Sequence, residues 1–266
     1  MSDPGATTPT TPTTPVRTLD GTLDLPLVGL GTYGLRGQAG YRSLRDALDV
    51  GYRLLDTATM YENEDEVGRA VADAGLPDVR ITTKLHHEHA GREEEFLTRS
   101  LRLLRVDVLD LWLIHWPPGG AARPDVWERL VAARESGRVR AVGVSNYSLA
   151  QLDELTAATG VTPAVNQVKW GPALFDAGLL AAHRERGVVL EGYSPFKATD
   201  LAAGPLRAAA GRHGVSAEQV VVRWHLQHGV VVIPKSGDRE RQARNRDVAG
   251  FALDAAEVAA IDALGR

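Results

Sequence analysis

The chain has 266 residues, 30 Lys and Arg against 34 Asp and Glu, a net charge of −4 and no cysteine. That length suits one large α/β domain or two small ones; the mild acidity offers no basic stripe to a nucleic-acid backbone, and the missing thiols exclude disulfides and cysteine nucleophiles. No apolar run approaches the roughly 20 residues needed to cross a bilayer, so the sequence reads as a soluble, cytoplasmic protein with neither membrane nor nucleic acid as partner.

Residues 1–15, ending Thr10-Thr11-Pro12-Thr13-Thr14-Pro15, lack apolar side chains and a basic start, and read as a disordered tail, not an export signal. Residues 16–266 read as a single domain. Val16 to Leu19 and Leu23 to Leu27 flank Asp20-Gly21, a pair suited to the positive φ angles of a tight hairpin. Short β-branched or Leu-rich runs then predict strands at Val28 to Gly31, Arg53 to Asp56, Arg80 to Lys84, Val108 to His115, Val139 to Val144, Ala164 to Val168, Val188 to Tyr193 and Val230 to Pro234. Between them, helical patterns occupy Ser43 to Val50, Glu64 to Ala74, Arg92 to Leu104, Asp125 to Ser136, Leu149 to Ala158, Ala177 to Arg186 and Ser216 to His228. Parallel strands alternating with helices close most economically as a (β/α)8 TIM barrel, here with the hairpin covering the bottom.

Three motifs stand at the ends of predicted strands: Leu54-Leu55-Asp56-Thr57-Ala58 with Tyr61 soon after, Thr82-Thr83-Lys84-Leu85, and Leu113-Ile114-His115-Trp116-Pro117. A barrel gathers strand ends at one mouth. There a phenol, an ammonium, a carboxylate and an imidazole can protonate a carbonyl oxygen while hydride arrives at its carbon. Taken singly, each has a structural reading: Asp56 as a turn or cap, Lys84 as a snorkelling lysine, His115 and Tyr61 as packing residues. Downstream, Ile233-Pro234-Lys235-Ser236 is followed by Arg241 and Asn245. No Gly-x-Gly-x-x-Gly follows a strand, so a Rossmann site fails its first test. The remaining histidines show no zinc-type pairing, and no metal is implied.

In content and order these motifs resemble the aldo-keto reductase family, in its bacterial, 2,5-diketogluconate-reductase-like branch. The resemblance runs from Val16 to Leu264. It implies an NADPH-dependent reductase of aldehydes and ketones, with Tyr61 as general acid, Lys84 lowering the acidity cost of the phenol, Asp56 holding Lys84, and His115 orienting the carbonyl. It also implies an extended NADPH or NADP+ across the barrel top: Lys235, Ser236 and Arg241 around the adenosine 2′-phosphate, Asn245 on the adenine with Arg239 or Arg244 as helpers, Ser145, Asn146 and Gln167 on the carboxamide, and Tyr193 stacked on the nicotinamide. Ser194, Pro195, Phe196 and Lys197 would follow the pyrophosphate, and Gly31, Thr32 and Tyr33 would complete the cradle. For Tyr61 to work, the adjacent ammonium must outweigh the burial that raises a phenol.

Three departures fall where substrate would sit. Many relatives carry Glu-Tyr-His-Pro where this chain has Lys169-Trp170-Gly171-Pro172; the loop from Pro117 to Arg123 is short; and the chain stops at Arg266, directly after its last helix. Short loops predict a shallow, open site for small aldehydes, α-dicarbonyls or keto-sugars, walled by Tyr33, His86, Trp116 and Trp170. No heptad seam or apolar stripe is left for a partner subunit, so a monomer is expected. Two other readings stay open: a non-catalytic NADPH-binding sensor or accessory protein, and a Schiff-base aldolase using Lys84.

Overall fold

In the computed structural model, residues 16–265 are described except Asp20 and Thr22. The tail and the Asp20 half of the predicted hairpin turn therefore lie outside the described residues, while Gly21 has a φ of +69°. Strands β1 (Val16–Leu19) and β2 (Leu23–Pro26) pair antiparallel. Eight parallel strands follow: β3 (Leu30–Gly31), β4 (Leu54–Asp56), β5 (Arg80–Leu85), β6 (Leu109–Ile114), β7 (Val139–Ser145), β8 (Val165–Lys169), β9 (Val189–Tyr193) and β10 (Val231–Ile233), each hydrogen-bonded to the next. The ring closes through a parallel bridge between Val28 and Val232 and a 2.9 Å bond from Gly29 N to the Val232 carbonyl. Closure explains two glycines. A Cβ on Gly29 would lie 2.7 Å from Leu54, and one on Gly31 would lie 2.9 Å from the Ile233 carbonyl oxygen.

Helices α1 (Gly37–Asp49), α2 (Glu64–Ala74), α3 (Glu93–Leu104), α4 (Pro124–Glu135), α5 (Leu149–Thr159), α6 (Ala177–Glu185), α7 (Gly204–His213), α8 (Ala217–Gln227), α9 (Arg239–Arg246) and α10 (Ala255–Asp262) surround the sheet. Reciprocal capping boxes start α5 (Ser148 with Gln151), α8 (Ser216 with Gln219) and α10 (Asp254 with Glu257), each cap typically stabilising by about 1 kcal/mol. Helices α9 and α10 have no counterpart among the predicted segments, and neither has α7. Its Gly204-Pro205 start and Gly211 look like breakers, yet proline near a helix start loses no intrahelical bond.

Alternation along the strands sorts side chains into two cores. Trp112, Val142 and Val144 point outward against α3, α4 and α5, sharing a cluster with Trp127, Leu130 and Leu152. Leu54, Leu111, Leu113, Ala141, Val165, Val189 and Val231 point inward and meet Leu19, Leu23, Leu25 and Leu27 from the hairpin. The hairpin lies under the strand starts, where the Arg80 guanidinium donates to the Asp24 carbonyl at 3.4 Å. It fills the bottom with leucine, each such burial worth about 1.5–3 kcal/mol, and leaves the upper end to polar groups. Among the described residues no helix is long and apolar enough to cross a membrane.

Candidate active site

The four candidate catalytic residues converge. Asp56 ends β4, Lys84 lies on β5 and His115 directly follows β6; in adjacent parallel strands these ends share one level. Lys84 Nζ donates to Asp56 Oδ1 at 2.6 Å and to the Thr57 carbonyl at 2.8 Å. Tyr61 closes a 3-10 turn, Thr59–Tyr61, that leans over this pair. Its ring centroid is 5.1 Å from Lys84 Nζ and 5.8 Å from the His115 ring. The turn is tethered: Thr59 Oγ1 donates to the Lys84 carbonyl at 3.0 Å, and Arg36 Nε donates to the Tyr61 carbonyl at 2.7 Å.

The electrostatics follow from placing one ammonium among buried acids. Burial pulls Lys84 down, but Asp56 and then Tyr61 and Glu191 outweigh it, so its pKa is raised and it stays charged. Burial raises Asp56 against the pull of Lys84 and Gln167; with donors on both oxygens at 2.6 and 2.8 Å it is the anion of the pair. His115 is driven far below the ordinary imidazole range by burial, then by Lys84, His86 and His87, and is therefore neutral. Tyr61 departs from expectation. Burial raises it more than Lys84 lowers it, with Asp56 adding to the rise, so the phenol stays above its ordinary value of 10.0. The expectation that the ammonium outweighs burial is therefore corrected: Lys84 offsets burial only in part because its charge is largely answered by Asp56, and Tyr61 rests as a protonated phenol, the form a proton donor needs, with a cation beneath it.

Around the mouth, Tyr33 is 63% exposed and meets Tyr61 edge-on at 5.2 Å. Trp116 stacks on His115 at 3.8 Å, and His86 stands edge-on to both. These three border the site. Trp170 does not: it is 1% exposed and packs with Leu190, Leu206 and Trp224 in the core between the sheet and α7 and α8. The residue following it, Gly171, turns the chain away where a side chain would collide with the Pro195 carbonyl at 2.7 Å.

The candidate cofactor residues form two groups. At the strand ends, Ser145 Oγ donates to the Gln167 carbonyl at 2.8 Å, Asn146 Nδ2 donates to Ser145 Oγ at 3.0 Å, and the Tyr193 hydroxyl donates to Asn146 Oδ1 at 3.0 Å. Asn146 and Ser194 both carry positive φ, 63° and 53°, backbone that non-glycine residues adopt at a cost. Gln167 Nε2 donates inward to Asp56 Oδ2 at 2.8 Å and to Glu191 Oε1 at 2.9 Å. Both amide hydrogens are thus held below, and its carbonyl oxygen is left for a ligand's N–H. Farther out, Lys235, Ser236, Arg241, Arg244, Asn245 and Phe196 line a cavity of about 280 Å³. Three cations and an amide around such a volume fit a phosphate-bearing nucleoside. Phe196 therefore lies at this outer cavity, while Pro195 and Ser194 supply carbonyls to the turn carrying exposed Lys197.

Two expectations, on the Gly31–Thr32 pair and on Arg239, are corrected here, and a third gains a second role. Thr32 is buried, its carbonyl taken by Asn63 Nδ2 at 2.9 Å, and Gly31 serves barrel closure, so Tyr33 alone of that trio reaches the opening. Ser236 Oγ accepts from Asp238 N at 3.1 Å and so shapes the loop as well as facing the cavity. Arg239 turns away and pairs with Asp46 of α1 at 2.9 Å, leaving Arg244 as the extra cation.

Positioning residues without any motif escaped the sequence reading. Asn63 ties the tyrosine loop to the exit of β3, accepting from Thr57 Oγ1 at 2.7 Å and donating to the Thr32 and Leu35 carbonyls. Gln242 anchors the outer loop to α1 through Ser236 and Ser43 carbonyls. Glu191, inside β9, joins Asp56 through Gln167. A glutamate inside an otherwise apolar strand was the available signal for the last; a buried asparagine or glutamine gives none. A larger groove of about 850 Å³ lies on the barrel flank along α3 and α4, lined by Arg92, Trp112 and Arg129, apart from the strand ends.

Comparison with known proteins agrees with this geometry. The sequence profile of the Aldo/keto reductase family matches residues 27–266. The chain is 46% identical over 245 residues to 2,5-diketo-D-gluconic acid reductase B of Corynebacterium sp. (strain SHS752001), covering 90% of this chain and 88% of that protein. It is 37% identical over 257 residues to methylglyoxal reductase DkgA of Salmonella typhimurium, covering 92% and 91%. Among solved structures, a substituted form of Gox0644 in complex with NADPH superposes with a TM-score of 0.91 at 36% identity, covering 96% of this chain and 94% of that one. With the eight-stranded barrel and a family match from residue 27 to 266, the chain belongs to the aldo/keto reductase family and is an NADP(H)-dependent carbonyl oxidoreductase.

Proposed function

We propose that this protein reduces small aldehydes, α-dicarbonyls or keto-sugars to alcohols, with Tyr61 delivering the proton. The bound dinucleotide supplies the hydride that goes to the carbonyl carbon. The Tyr61 hydroxyl gives its proton to the carbonyl oxygen, and the phenolate left behind is stabilised by the charge of the Lys84 ammonium, 5.1 Å from the ring centroid. Asp56 keeps Lys84 charged and aimed. Neutral His115 offers the carbonyl oxygen a hydrogen bond without competing as an acid. The single observation carrying the reading is the buried Lys84–Asp56 pair lying directly under Tyr61 and beside an uncharged imidazole.

The small-substrate reading rests on an exposed Tyr33 rim and on relatives named for a diketo acid and for methylglyoxal. Lys235, Arg241 and Arg244 support NADPH over NADH. A monomer acting in the cytoplasm completes the proposal; sedimentation and cell fractionation test those two points. The aldolase alternative requires an uncharged Lys84, and the ammonium held by Asp56 speaks against it.

The test is NADPH oxidation with methylglyoxal and a nitrobenzaldehyde, run in parallel with NADH. Tyr61→Phe is expected to lose about 10²- to 10⁴-fold in kcat/KM with its melting temperature kept. A variant as fast as its parent would remove Tyr61 from the chemistry; tight NADPH binding without turnover of any carbonyl would favour a sensor.

A further inference from the structure

Glu191 is a buried acid that the reaction as described does not use. It sits on β9 two residues above Val189, pointing into the barrel, and is fully inaccessible. Its register partners on either side are Gln167 and Val231. The charged groups sharing the interior with it are Asp56 from β4 and Lys84 from β5. Tyr61, Tyr193 and His115 are the titratable groups at the mouth above; β10 contributes Val231 and Ile233, and β7 contributes Ala141 and Ser145, none of them charged.

We propose that Glu191 is a positioning residue for the reductase reaction: a protonated carboxyl that holds Gln167 on Asp56 while ensuring that Tyr61 faces one buried carboxylate and not two. This rests on Tyr61 being the proton donor. The donor count decides which acid keeps the proton. Asp56 receives Lys84 Nζ on one oxygen and Gln167 Nε2 on the other. Glu191 receives only Gln167 Nε2 on Oε1, and its Oε2 is buried with no partner. One ammonium cannot offset two carboxylates in a water-free interior, so the worse-solvated acid stays neutral. Burial, then the Asp56 charge, push Glu191 up to about 8 against the pull of Lys84 and Gln167.

The consequence falls on Tyr61. Every carboxylate near it makes a phenolate harder to form, whereas Lys84 makes it easier. Well below pH 8 Glu191 contributes no charge; it ionises through about pH 8, before the phenol, which lies above 10.0, and a second carboxylate in the same water-free interior pushes the phenol ionisation higher still. In alcohol oxidation, where Tyr61 must take the proton as phenolate, a second carboxylate therefore delays the rise of activity with pH. Glu191→Gln holds the same shape, keeps an oxygen for Gln167 and cannot ionise.

The experiment follows kcat/KM for NADP+-dependent alcohol oxidation from about pH 6 to about 11, far enough to reach the Tyr61 limb, in the wild type, Glu191→Gln and Tyr61→Phe, with infrared spectra of the carboxyl region. The base limb of Glu191→Gln is expected about one pH unit below that of the wild type. The wild type is expected to show the carbonyl band of a protonated acid at pH 7, fading above about pH 8, and the variant to lack it. Superimposable limbs, or no such band in the wild type, overturn the proposal; the second measurement stands even if the variant fails to fold. If Tyr61→Phe is inactive while Glu191→Gln matches the wild type, only the role of Glu191 falls. A fully active Tyr61→Phe removes the proton donor and this proposal with it.

Discussion

The lower and upper halves of the barrel interior are built from the same strands, two residues apart, and have opposite chemistry. Leu54 points into the lower half and Asp56 into the upper; Val165 and Gln167 differ in the same way, as do Val189 and Glu191, and Leu113 and His115. The lower half is sealed by Leu19, Leu23, Leu25 and Leu27, and the described side chains clustered there are apolar. The upper half is a connected chain, Glu191 to Gln167 to Asp56 to Lys84, with the Tyr61 ring above its end, and each polar group needs its neighbour. Apolar packing tolerates imprecision, whereas a buried charged network is valuable only when complete. The fold is stabilised from below and its chemistry is assembled above.

Four measurements would break or sharpen that contrast. Lys84→Met should show the largest effect: it strands Asp56 without its cation, costing about 3–5 kcal/mol of stability and at least about 10²-fold in kcat/KM, read by urea unfolding and steady-state kinetics. Leu111→Ala, in the lower half, should cost about 2–5 kcal/mol while kcat of the remaining folded enzyme stays near wild type. Equal loss of kcat in both variants would show that the halves are not separable.

Away from the interior, Arg241→Ala removes a charge-assisted contact worth about 1.5–3 kcal/mol. Its KM for NADPH should rise about 10- to 100-fold with that for NADH unchanged. The last measurement concerns pH and is read as a trend. Glu191 has its folded pKa raised from 4.5 to about 8, so the stability it contributes is fully present below pH 4.5 and is lost as pH rises through about 8. Glu191→Gln should therefore gain on the wild type steadily across that window in urea midpoints and keep a constant difference above it; a gap that narrows with pH would mean Glu191 is ionised in the fold.

Much of the architecture was legible because its signals are local. Strand runs and helix periods follow from side chains a few residues apart, which is why β1 and α2 match their predicted spans and most of the other predicted segments differ only at their ends. The exceptions are instructive. Helix α7 was hidden by glycine and proline that its first turn tolerates, and α1 starts at Gly37, ahead of the apolar pattern that betrayed it, because its early residues are mostly exposed. Trp170 looked like a pocket wall because it follows a strand end, but its strand leads the side chain outward into the helices.

The sequence by itself determined the order of most strands and helices, the identity of the four polar groups that meet at the barrel mouth, and the loop of Lys235, Ser236, Arg241 and Asn245. These depend on residue type and short spacing. Only the tertiary structure decided that Gly29 and Gly31 close the ring, that Thr32 and Arg239 face away from the opening, that burial outweighs Lys84 at Tyr61, and that Glu191 and Gln167 complete the buried chain beneath Asp56. Each of those outcomes depends on distances between residues far apart in the chain and on how much water remains between them, and neither quantity exists until the barrel has closed.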